Sequence, residues 1–201
     1  MKHEASNSDL ARAGIPMNLW HLDLEPPPGV LSYVEDAVQT YQDSTNLVVA
    51  GSTRLERMQL VAWMVEALLT SHNPYYRYSE EFKHNDPCPI EYAPIFRVKV
   101  MDVDTLTKVY TDENAYEDGV DPWKRITDGY DFFFITEVGS EFANTFKAKV
   151  LLTMLEAREG SCLPVVATLN KTSREVSDKY GVAVYKEVGE ILNRYRKLGL
   201  A

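Results

Sequence analysis

Only two cysteines, Cys88 and Cys162, occur in 201 residues. With no apolar export signal between Met1 and Leu10, so few sulfurs point away from a disulfide scaffold and read as free thiols. Histidine is nearly as scarce. His3, His21, His72 and His84 form no i, i+4 pair and have no neighbouring cysteine pair, so no metal site is expected. Long apolar runs are missing too: Asp131-Phe132-Phe133-Phe134-Ile135 is strand-length, far short of the roughly 20 residues a membrane span needs. No membrane association is expected, and the chain is expected to be cytoplasmic. Basic residues are also outnumbered, 21 Lys and Arg against 30 Asp and Glu, for a formal charge of −9. That balance argues against a surface that grips phosphates all over, while leaving room for a local basic patch.

What is present is enough for one buried core, since 45% of the residues are hydrophobic. Pro26-Pro27-Pro28-Gly29 separates a lead-in, residues 1–29, from a body spanning 30–201. In the body, Val30, Val34, Ala37, Val38 and Tyr41 recur at three- and four-residue steps and predict one helix. A short apolar strand follows, Asn46 to Gly51, and then a buried helix from Leu55 to Leu69. Further strands are predicted at Ile95–Val100, Phe132–Ile135 and Leu163–Leu169. Helices are predicted after Asp102 or Asp104, over Phe142–Arg158, and from about Ser173 to Leu198. Strand-helix alternation of this kind specifies a mainly parallel sheet covered on both faces. Residues 71–94, with Pro74, Pro87, Pro89 and Pro94, form an irregular insertion, long for a loop in one domain.

In such a sheet, ligands bind at the carboxyl ends of the strands, so the turn after Ala50 is the first place to look. A phosphate loop would read G-x-x-x-x-G-K-[ST]: glycines let amides close on phosphate, lysine reaches the terminal phosphates, and a hydroxyl ligates magnesium. The sequence reads Gly51-Ser52-Thr53-Arg54-Leu55-Glu56-Arg57-Met58. The candidate nucleotide-binding residues are therefore Gly51, Ser52, Thr53 and Arg57, with a purely structural turn as the alternative reading of the segment. Glu56 brings negative charge where the second glycine would be, Arg57 substitutes for lysine, and Met58 offers magnesium nothing. A second acidic motif is expected at the end of a central strand, one carboxylate for magnesium and one for the attacking water. Here Phe132-Phe133-Phe134-Ile135 leads into Thr136-Glu137. The metal acid is a threonine, and Glu137 is the candidate catalytic acid, or else a buried or capping carboxylate.

These stretches resemble the DnaC/DnaI-type helicase loaders and related transposition ATPases of the AAA+ class. Ala13-Gly14-Ile15-Pro16 is similar to the "x-x-I-P" lead-in of that family. Arg158, Leu163 to Asn170 and Ser173-Arg174-Glu175-Val176 resemble "R-x-x-x-x-L-P-x-I-x-T-T-N-x-S-x-E-E-L", and Asp131 to Gly139 resembles "D-L-L-I-I-D-D-L-G". The resemblance implies a P-loop NTPase core without a separate lid, and it places Asn170 at the sensor-1 position. It also places Glu187 where loaders carry an arginine finger. With the glycine, the magnesium hydroxyl, the metal acid and the finger all replaced, it implies a pseudo-ATPase with no cofactor. ATP and magnesium enter only under the alternative of a divergent but active loader.

Tyr75, Tyr76, Arg77, Tyr78 and Lys83 mix aromatics with cations inside the insertion. That mixture suits a protein partner, packing onto the domain, or a single-stranded DNA platform. Lys186, Arg194, Arg196 and Lys197 predict a basic helix surface at the C-terminus. The leading expectation is an interaction module of DNA replication or mobile-element function. Its partner would be a replicative helicase, an initiator or an active AAA+ subunit. A single-stranded-DNA-binding accessory is the further alternative.

Overall fold

A computed structural model describes residues 5–50, 53–70, 96–112, 121–139, 144–170, 175 and 183–199. Five strands, β1 (Leu47–Ala50), β2 (Val98–Asp102), β3 (Phe132–Val138), β4 (Val165–Leu169) and β5 (Arg196–Gly199), form one sheet in the order β2-β3-β4-β1-β5. Every pairing is parallel. Around it lie α1 (Asn7–Ala13), α2 (Pro28–Glu35), α3 (Ala37–Gln42), α4 (Arg54–Thr70), α5 (Val103–Thr111), α6 (Pro122–Asp128), α7 (Thr145–Gly160) and α8 (Ala183–Arg194).

The inner strands β3, β4 and β1 are largely apolar on both faces because both faces are covered. Successive strand side chains point to opposite sides, so Phe132 and Phe134 join a core with Leu10, Tyr33, Leu60, Met64 and Leu68, while Phe133 and Ile135 join one with Leu106, Leu151, Leu155 and Leu192. The mainly parallel α/β architecture expected from the alternation is what forms. The lead-in packs on the first of these cores, burying Leu10, Ala13, Ile15 and Leu19. Gly14 makes that docking possible. Its φ is +96°, and a Cβ there would stand 2.7 Å from the carbonyl oxygen of Val100.

Three expectations need correction. The helix read across Val30 to Tyr41 is two helices broken at Asp36, and the Thr40 hydroxyl donates to the Tyr33 carbonyl at 3.1 Å. Side-chain hydroxyls of this kind compete for the carbonyls of the helical ladder. The C-terminal helix does not run to Leu198. It ends at Arg194, and β5 adds to β1, with the Arg196 N–H donating to Asn46 O at 3.0 Å. A four-residue edge strand opening Arg-Lys carries no alternation to read, and charge suits an edge. The basic helix surface dissolves accordingly: Arg196 and Lys197 lie on β5, and Arg194 pairs with Glu159 at 2.8 Å. Strand β3 also runs three residues beyond Ile135, through Thr136 and Glu137 to Val138.

At the amino ends of β3 and β4, Arg158 is completely buried. Its guanidinium donates to five carbonyls, those of Ile126, Thr127, Tyr130, Asp131 and Pro164, at 3.0 to 3.3 Å. It also lies over the Phe133 ring, 5.5 Å from the centroid. Burial pushes its pKa down to about 10, with the Asp131 charge opposing. The stretch Arg158-x-x-x-x-Leu163-Pro164 thus encodes architecture: one side chain ties the end of α7 to α6 and to the starts of two strands.

Candidate functional site: an ion pair at the carboxyl ends of the strands

The start of α4 is held by a capping box. The Thr53 hydroxyl accepts from the Glu56 N–H at 3.3 Å, and the Glu56 carboxylate accepts from the Thr53 N–H at 2.9 Å and its hydroxyl at 2.8 Å. The Thr53 N–H first, and its hydroxyl second, hold the Glu56 carboxyl below its ordinary range. A carboxylate of the chain itself therefore sits on an amide that a phosphate loop would offer to its ligand.

Arg57, the next residue, turns inward and is 2% exposed. Its Nε donates to Glu137 Oε1 at 2.9 Å and its Nη2 to Oε2 at 2.8 Å, a two-pronged fork on a carboxylate that is itself 6% exposed. Arg57 stands on α4, which follows β1, and Glu137 on β3, two strands from β1 in the sheet, so this pair joins the two candidate motifs. The backbone bends to allow it. Glu137 has φ +58°, the β3–β4 register shifts between Ile135 and Val138, and the Glu137 N–H donates to the buried Thr168 hydroxyl at 2.8 Å. A left-handed non-glycine residue costs about 1–3 kcal/mol, which the surrounding contacts must offset.

The remaining candidates separate. Thr53 is exposed at the cap. Asn170 is exposed just after β4, outside the pair. Met58 packs against the first core, and the Thr136 hydroxyl donates to Met101 O at 3.3 Å, so neither position that magnesium would need points a ligand at the cleft. Among the described residues, no group of three or more His, Cys, Asp or Glu side chains is arranged to hold a metal ion. Glu187 lines a groove between α7 and α8 together with Glu156, Glu159, Glu190 and Arg194. Cys162 is an exposed free thiol. Gly51, Ser52, Tyr75, Tyr76, Arg77, Tyr78, Lys83 and Cys88 lie outside the described residues.

Sequence reasoning found Arg57 and Glu137 separately and missed that they bind each other. The available signal was compositional. A cation at the lysine position and an acid at the strand end, with the intervening magnesium ligands gone, leave two opposite charges facing one another without an ion between them.

No protein-family model matches the chain, and no curated protein matches its sequence. Solved structures match its fold. The structure of DnaI superposes with a TM-score of 0.61 at 13% identity, over 98% of this chain and 95% of that one. The DnaC helicase loader gives 0.56 at 12% identity, over 92% of this chain and 100% of that one. DnaA from Aquifex aeolicus, bound to AMPPCP, gives 0.60 at 8% identity over 93% of this chain, which spans 51% of that protein. With its five-stranded parallel sheet flanked by helices, the chain has the fold of DnaI, the DnaC helicase loader and DnaA.

Proposed function

We propose that this chain is a loader-like interaction module of DNA replication or of a mobile element, a pseudo-ATPase that acts by occupying a partner. The observation that carries the reading is the fork between Arg57 and Glu137. An active loader needs the cation free for phosphate and the acid free to orient water, and here each is the other's ligand. Separating them would leave two charges in a buried place, which is costly. Docking needs only surface complementarity, so the loss of hydrolysis leaves that task intact. The choice of partner class is supported by the fold's neighbours, among them the DnaC helicase loader and the replication initiator DnaA. Candidate partners are a replicative helicase, an initiator or an active AAA+ subunit.

Co-chromatography of the purified protein with its host's replicative helicase tests this. The expected result is one complex, formed equally with and without Mg-ATP. A complex that requires Mg-ATP would contradict the pseudo-ATPase reading, and no complex with helicase, initiator or AAA+ subunit would contradict the module.

A further inference from the structure

We infer that Glu137 is a built-in anionic ligand, and that beneath it lies a latent oxyanion site whose receptor is the buried guanidinium of Arg57. This rests on the reading of a closed nucleotide site and deepens it.

Three observations converge. Arg57 presents a planar fork to two oxygens at 2.9 and 2.8 Å, the geometry by which guanidinium recognises carboxylate and phosphate alike. Glu137 reaches that fork from a left-handed backbone and across a register shift, so the strand is bent out of its ladder in delivering the carboxylate. Among the described residues another anion-holding feature, the Thr53 amide at the start of α4, is taken by the Glu56 carboxylate. Two internal carboxylates thus stand on two anion receptors. A bound phosphate would tie the start of α4 to β3 only while it stayed, whereas Glu137 ties them at all times. The surface around these elements is thereby held in one arrangement whatever the nucleotide level.

Removing the carboxylate should uncover the receptor. In Glu137→Ala, inorganic phosphate, formate or acetate should raise the melting temperature by several degrees, saturably, over chloride at the same ionic strength and pH. Wild type and the Arg57→Met/Glu137→Leu double variant should show no such anion-specific rise. A folded Glu137→Ala that melts alike in all four anions overturns the inference and leaves the closed-site reading standing. A saturable rise in wild type overturns the closed-site reading itself, and the inference with it. Should Glu137→Ala not fold in chloride, its refolding yield from denaturant decides: recovery in phosphate or formate supports the inference, and equal yields in every anion overturn it.

Discussion

Among the described residues two arginines are buried, at opposite ends of one sheet, and they are held by different chemistry. Arg158, at the amino ends, meets five neutral carbonyls from α6, the strand starts and the α7–β4 turn. Arg57, at the carboxyl ends, is held in a two-pronged fork by the carboxylate of a strained residue. The first arrangement spreads one charge over backbone that must be there in any case, so it is part of the fold. The second sets it against a side-chain carboxylate, which can be exchanged for a ligand or for apolar groups without redrawing the chain. The contrast assigns architecture to one end and the remains of ligand chemistry to the other.

Exchanging the arginines should sharpen the comparison. Arg158→Met strips the charged donor from five carbonyls, and hydrogen bonds to charged groups are worth about 1.5–3 kcal/mol each, so a loss of roughly 4 kcal/mol or more is expected in denaturant unfolding. Arg57→Met leaves Glu137 buried without its fork and should cost roughly 3–5 kcal/mol. The difference lies in the rescue. Adding Glu137→Leu to Arg57→Met should return most of that loss, because a buried ion pair replaced by apolar groups is often neutral. If the double variant stays as unstable as Arg57→Met, the exchangeability of this end is refuted.

The smallest effect belongs to the cap. Because the Glu56 carboxyl titrates lower in the folded chain than in the unfolded one, its contribution is present above the unfolded value and is lost as pH falls through the lowered folded value. Wild type should therefore melt slightly above Glu56→Gln at neutral pH, and the gap should close below the ordinary carboxylate range. A gap that persists in acid would mean that the charge plays no part in the capping box.

The layers of the fold were legible because the inner strands are largely apolar on both faces and alternate with helices, and Asp102 was legible as a cap, accepting from the Thr105 N–H at 2.7 Å. Strand β5 was not, since pairing with β1 and not local pattern makes Arg196 to Gly199 a strand. The break at Asp36 was hidden for a different reason: the apolar spacing continues straight through it. At the site, Arg57 and Glu137 could each be named from a motif position. Their pairing depends on strand order and on a left-handed turn at Glu137 that nothing in the residue type announces.

Calorimetric titration of Mg-ATP into the wild-type chain puts the closed site to the plainest test. With Glu56 on the cap amide and Glu137 on Arg57, no saturable heat is expected up to millimolar nucleotide. One-to-one binding with a micromolar Kd would contradict it, showing that ATP displaces Glu137 and that the site still works as a nucleotide site.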